Sequence, residues 1–444
     1  MKLVPRAGDA CAALALGLVV LFVAPAQADA TRPARAIACD TEALKDAIDA
    51  ANAAGGGTIG LARRCTYTLT VEDNTGPHGP NGLPLITTPI TLRAGKNTVI
   101  ERAAAAPAFR IFEVTGPAGA LTLDGADRGR RPGDRRDAWS TADALLTGTD
   151  RGDRDRACRN GSGLTVRGGS TTGSGGAVFV DDDRNLTAQC VTFTGNTAAI
   201  GGAVRNQGTT ELRASTLSRN SASSGGGAIS SGSGTLGLVA SRLNGNTAGA
   251  GGALTVEGGS ATVGASLIDH NTASDAAGVF VTNGAVDIVR SIIRRNTATG
   301  IAGGLAVIGG GSVNLRNSSV SENSARQAGG IQDQTRVVIE DSKVNGNTAT
   351  TVGGGIVVIL GDMTIRRSEV NENRTTAGTG GGIVNVNTLA LEDVEVLRNS
   401  ATAPAGGVQN NASGTVTVSG QTRIADNTPT NCTGSATPVP GCVG

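Results

Sequence analysis

Asp181, Asp182, Asp183 and Arg184 form the compact cluster in this sequence with the residue types of a chemical site. Three carboxylates at that density could hold a calcium ion beside an arginine base, as eliminative cleavage of an acidic polymer requires. The same four residues would equally serve as a polar turn closing a structural unit ahead of Cys190. Hydrolysis of a glycosidic bond instead needs two carboxylates within about 10 Å. Glu257 and Asp333 are the other acids at comparable positions, but they stand three units apart, about 14 Å at strand spacing. Asp269 and His270, within Ile268-Asp269-His270-Asn271, fall in columns that elsewhere hold Ser218-Arg219, Asn244-Gly245 and Arg294-Arg295, so they read as ordinary corner residues. The expectation is therefore no catalytic and no cofactor-binding residue, with calcium at Asp181, Asp182 and Asp183 as the metal assignment left open.

These positions are set by a repeat. Asn196, Asn220, Asn246, Asn271, Asn296, Asn323, Asn347, Asn373, Asn399 and Asn427 recur at intervals of 24 to 28 residues. Such a period marks a solenoid in which each unit touches its neighbours. Three residues before each Asn the side chain is apolar, from Phe193 and Leu217 to Ile424. Five before it, Ser215 to Ser368 run without a break, and eight before it stand Leu212, Leu238, Val263, Ile288, Leu315, Ile339, Ile365 and Leu391. Short Val- and Ile-rich runs bounded by Gly, Asn and Ser are strand chemistry, and no unit holds a helical stripe. We expect an all-β parallel solenoid of about 25–26 residues per coil, with three strands per coil stacked roughly 4.8 Å apart. The Asn is expected to take the left-handed conformation of a corner and to bond its counterparts above and below. Gly-Gly pairs from Gly175-Gly176 to Gly406-Gly407, with Ala277-Gly278 the one substitution, would serve the next corner.

Gly201-Gly202-Ala203-Val204, Gly226-Gly227-Ala228-Ile229 and Gly251-Gly252-Ala253-Leu254, alternating with Phe193-Thr194-Gly195-Asn196, resemble the paired GGA(I/L/V) and FxxN repeats of polymorphic outer membrane proteins. The resemblance covers residues 175 to 427 and implies a right-handed parallel β-helix, of which some members are adhesins that end in a membrane β-barrel. The tail from Asn431 to Gly444 shows neither a sorting motif nor a terminal hydrophobic segment, so release to the exterior or periplasm is the expectation. The NTD, DD, GHG and RxK motifs of polygalacturonases are missing, since Asn-Thr is followed here by Ala.

Lys2, Arg6, the apolar run Ala12 to Ala24 and the small residues around Ala28 read as a secretory signal peptide, too short to span a membrane. Export makes disulfides plausible for the six cysteines that follow: Cys39, Cys65, Cys158, Cys190, Cys432 and Cys442. Sequence alone does not choose among the 15 pairings of six cysteines, of which the local set 39–65, 158–190 and 432–442 is the simplest. From Asp40 to Gly57 an amphipathic helix, capped by Asp40 or Thr41 with Leu44, Ala47, Ile48 and Ala51 on one face, would cover the first coil and its unpaired strand edges. The order Cys39, Leu44, Ala47-Ile48, Asn52 and Cys65 also resembles the N-terminal cap of secreted bacterial β-helix proteins.

Residues 1–30 are thus read as signal peptide, 31–57 as cap, and 58–125 as irregular first coils. Residues 126–160 form an insertion holding nine Arg, seven Asp and Trp139, read as a solvated loop, in which Arg151-Gly152-Asp153 spells a cell-adhesion tripeptide. Residues 161–430 are regular coils and 431–444 a stapled tail. A net charge of +1 with dispersed Lys and Arg gives no nucleic-acid footprint, and one Trp, one Tyr and six Phe leave few platforms for stacking sugars. The expected role is that of a secreted or cell-surface β-helix with structural or surface-interaction function toward cell-surface proteins or polysaccharide. The alternative is a polysaccharide lyase or hydrolase with a site near Asp181 to Asp183.

Overall fold

The computed structural model describes residues 36–126, Cys158 and residues 163–444. Residues 1–30, read above as a signal peptide, lie outside the described residues, as do Trp139, the Arg-Gly-Asp tripeptide and nearly all of the charged insertion. Apart from one helix and one antiparallel hairpin the described residues form a parallel β-solenoid. A regular coil contributes four strands, exemplified by Val178–Val180, Asn185–Gln189, Val191–Thr194 and Thr197–Ile200. In that order we name the stacks sheets I to IV, containing 11, 13, 10 and 8 strands. Every pairing within them is parallel and links equivalent residues of successive coils.

The fourth strand corrects the expectation of three. Its residues are mostly Thr, Ala, Ser and Gly, and a single alanine per coil, such as Ala198, Ala222 or Ala349, is buried. No apolar alternation announces such a strand; backbone bonds to the coils on either side hold it. The interior is filled by the expected columns: Leu212 through Leu391 in sheet II and Phe193 through Val396 in sheet III are all buried.

The corners differ from expectation in which residue bends. The left-handed position is the one before each Asn, with φ of +64° at Gly195, +53° at Arg219, +55° at His270 and +53° at Arg398, while the Asn itself is not left-handed. The Asn is free to do the other task foreseen for it. Asn246 Nδ2 donates to Asn271 Oδ1 at 2.9 Å and to the Leu217 carbonyl at 3.1 Å, and its own Oδ1 accepts from the Asn220 backbone and amide, both at 3.0 Å. All donors and acceptors of the buried amide are thereby used. The serine column forms a parallel ladder: Ser241 N donates to Ser266 Oγ at 3.1 Å and Ser241 Oγ to the Val239 carbonyl at 3.0 Å.

The Gly-Gly pairs occupy two registers. Counting back from the sheet I strand, the pair sits at positions three and two in early coils, as Gly201-Gly202 before Val204, and at positions two and one later, as Gly303-Gly304 before Leu305. The glycine common to both is second from the strand. There a Cβ would fall 2.2 Å from the Gly227 carbonyl oxygen at Gly202 and 2.1 Å from that of Gly252 at Gly227, so close approach of successive coils selects glycine.

Helix α1, Thr41–Ala53, follows the N-cap Asp40, whose side chain makes no capping bond, and buries Leu44, Ile48 and Ala51 with Ala47 partly covered. Asn52 ties it to the first coils, donating to the Leu85 carbonyl at 2.7 Å and accepting from Thr87 and Thr88. In the irregular coils, Leu83 to Ile86 is not a strand, and an antiparallel hairpin, Asn74–Gly76 with Gly79–Asn81, stands where none was expected. The cysteines pair locally as Cys39–Cys65, Cys158–Cys190 and Cys432–Cys442. The tail lies along the last sheet I strand, where Ala436 N donates to the Asn410 carbonyl. No helix among the described residues is long and apolar enough to cross a membrane.

Candidate functional site

The unexpected hairpin places His78 at its tip, over the outer face of sheet I. In a three-residue strand the middle side chain faces out when its neighbours face in. Glu113 is the middle of Phe112–Val114 and Phe179 the middle of Val178–Val180, aligned one above the other. The His78 ring stacks on Phe179 with centroids 3.9 Å apart. Its Nδ1 lies 3.0 Å from Glu113 Oε1, and its Nε2 lies 3.9 Å from Asp181 Oδ1.

Behind His78 is a dry ion pair. Arg110 and Glu113 are both 0% exposed and meet at 2.8 Å. Burial pulls the Arg110 guanidinium below its usual range, while Glu113 beside it acts in the opposite direction. The guanidinium also donates to the carbonyls of His78, Ser174 and Gly175 and to Asn81 Oδ1. Asn81 Nδ2 donates to Glu113 Oε2 at 2.9 Å. Removing either Arg110 or Glu113 would strand a buried charge, which costs more than the pair gains by forming.

Of the three aspartates proposed from sequence, the structure brings Asp181 to this cluster and leaves the other two apart. Thr115 Oγ1 donates to Asp181 Oδ2 at 3.0 Å, and Asp182 N donates to Oδ1. Asp182 is exposed and accepts from Ser233 Oγ at 3.3 Å; Asp183 is exposed in a left-handed turn with φ +59°. Among the described residues no group of three His, Cys, Asp or Glu is arranged to hold a metal ion. Both oxygens of Glu113 are occupied and out of solvent, which places it to orient His78. His78 and Asp181, with side chains 32% and 28% exposed, are the groups of the cluster that a ligand can reach.

The other acids considered from sequence serve elsewhere. Glu257 accepts from Arg205 and Ser230, each at 2.8 Å, on the outer face of sheet I. Asp333 points the opposite way, into the interior between Val307 and Val358, so the two share no face. Asp269, read from sequence as an ordinary corner residue, is buried. Its side chain is 2% exposed and ringed by Arg242 at 3.0 Å, Arg294 at 3.6 Å and His270 at 2.6 Å, while His270 does occupy the left-handed corner.

Sequence reasoning missed His78, Arg110 and Glu113 because they belong to coils without the repeat's columns. The available signal was an Arg and a Glu three residues apart in an apolar strand region, and one of only two histidines in the chain. Comparison with protein-family models, curated proteins and solved structures returns no match. What is shown is the architecture alone, a parallel β-solenoid with three disulfides.

Proposed function

We propose that the protein is an exported β-helix of the polymorphic-outer-membrane-protein-like repeat type, whose flanks act as a scaffold or adhesin-like surface toward cell-surface proteins or polysaccharide. The observation supporting this is continuity. From Asn196 to Asn427 every coil repeats the amide ladder, and the amide series ends on Asn431. Sites of catalysis usually break such local rules. Surface charges in the later coils pair with the next coil, as in Arg295–Glu322, Lys343–Glu369 and Arg398–Glu372, and no groove of converging acids forms among them. Residues 1–30 would direct export.

A second reading, a polysaccharide lyase or hydrolase, draws on one specific feature: His78 is oriented by the buried Glu113 and faces Asp181. One assay separates the two. The purified protein is incubated with acidic and neutral polysaccharides, with and without calcium, and unsaturated products and reducing ends are followed. The surface reading expects no turnover. Turnover that is lost in both Asp181→Ala and His78→Gln would replace it with the enzyme.

A further inference from the structure

The outer face of sheet III carries a cleft of about 580 Å³ that neither reading above uses. Its origin is visible in one corner column. Successive coils place Arg102, Gly168, Gly195 and Arg219 there, because Glu101 aligns with Arg167, Arg167 with Thr194, and Thr194 with Ser218. Two rungs without side chains lie between two arginines, and a Cβ at Gly195 would meet nothing within 4 Å. The glycines form a floor and the arginines its ends, across about 14 Å at strand spacing. Arg167, Ser170, Thr194 and Thr197 line the sides.

The cleft keeps positive charge. Glu101 is its one acid and is bound to Arg167 at 2.6 Å. Arg102 is held rigidly, but by the neutral carbonyls of Gly168 and Ala106 at 2.7 and 2.6 Å. Arg219 is exposed and has no carboxylate partner among the described residues. Further along the same face come Arg242, Arg294 and Arg295, with Asp269 and His270 among them; beyond Ser321 the sign turns, with Glu322, Glu369, Glu372 and Glu395 against Lys343 and Arg398. The positive potential is thus confined to the early coils.

We propose that this cleft is a binding site for an acidic polysaccharide, seating one carboxylate or sulfate over Gly168 and Gly195 between Arg102 and Arg219, with the chain running toward Arg242 and Arg294. Guanidinium groups suit both anions, and the hydroxyls of Ser170, Thr194 and Thr197 can bond sugar hydroxyls. No aromatic side chain lines the cleft, so it offers no stacking platform for the bases of a single-stranded nucleic acid. The proposal rests on the surface-interaction reading and names its ligand.

The repeat supplies variants that keep the fold. Arg219→Gly installs the residue found one coil away on either side, at Gly195 and Gly245, in a position with φ +53°. Arg167→Thr copies Thr194 of the next coil. Arg398→Gly makes the same corner change in the acidic half and serves as control. Binding of the purified full chain to polygalacturonate, dextran sulfate, neutral dextran and single-stranded DNA is measured by calorimetry at low and high salt. The expected result is salt-sensitive binding of one or both acidic polymers, no binding of neutral dextran, and a loss of roughly tenfold or more in the Arg167→Thr/Arg219→Gly double variant with Arg398→Gly unchanged. If the double variant does not fold, Arg219→Gly alone carries the comparison. Absence of binding to both acidic polymers, binding indifferent to the Arg167 and Arg219 changes, or single-stranded DNA bound as tightly as the polymers would each overturn the proposal. Product release from a bound polymer would remove the surface-interaction reading while leaving the cleft in place.

Discussion

Asp333 shows what one residue does when it breaks a column. The equivalent positions in the coils on either side hold Val307 and Val358, and all three side chains are fully buried. Burial is the main cause raising its pKa to about 6; the bond from Thr335 N opposes it and nearby Asp362 adds to it. Its Oδ2 is buried without a hydrogen-bond partner, so nothing there offsets the cost of burying the charged form. With the folded value above the ordinary 3.8, the folded state binds the proton more tightly than the unfolded chain. The resulting stabilisation is complete below pH 3.8 and lost as the pH rises through about 6, a swing of about 3 kcal/mol. Asp333→Asn keeps an acceptor for Thr335 and carries no charge. Its urea midpoint is expected to exceed that of the unaltered protein at pH 8 and to match it near pH 4; an equal difference at both values would show that the carboxylate is not the cause.

At the scale of the element, the strands are short and most of their order comes from what lies between them. A three-residue strand of sheet III such as Thr216–Ser218 buries one side chain, and the corner that follows carries a left-handed residue, which costs a non-glycine side chain roughly 1–2 kcal/mol. The amide ladder compensates. Asn296 Oδ1 accepts from the backbone and amide of Asn271 at 3.0 and 2.9 Å, and Asn296 Nδ2 donates to the Ile268 carbonyl. Asn296→Ala leaves these buried groups without partners and is expected to lower stability by about 3 kcal/mol, read as a fall in urea midpoint. Ser291→Ala removes one acceptor for the Ser266 backbone and one donor to Val289, and a smaller loss of about 1 kcal/mol is expected. Equal losses would mean that the ladder is no stronger than a single hydroxyl bond. The Asn and Ser columns were legible as columns in the sequence. Which of their neighbours turns left-handed was not, because Gly, Arg, His, Glu and Asp alternate there with no common chemistry.

For the whole molecule, stability is a sum of neighbouring-coil interfaces, so the ends matter more than in a globular domain. Helix α1 closes one end by laying Leu44 and Ile48, both 0% exposed, on the first coil. Leu44→Asp would lift the helix and expose an open parallel edge beginning at Gly57–Gly60, which templates pairing with another chain. Concentration-dependent oligomers in light scattering are the expected outcome, and a monomeric, fully folded variant would show that the coil edge is protected without the helix.

The sequence by itself determined the solenoid, its period, its strand-borne columns of Leu, Ile and Val and the capping helix, because each of these is a relation between residues one coil apart or less, whereas the choice among the cysteine pairings was left to the fold. Tertiary structure decided the rest. The fourth strand has no apolar signature and exists only as backbone bonds between coils. His78, Arg110 and Glu113 come from the irregular first coils and Asp181 from a regular coil about a hundred residues after His78, with no period to relate them. The cleft over Gly168 and Gly195 is absent from any one coil; it arises because parallel stacking in exact register sets two bare rungs between two arginines.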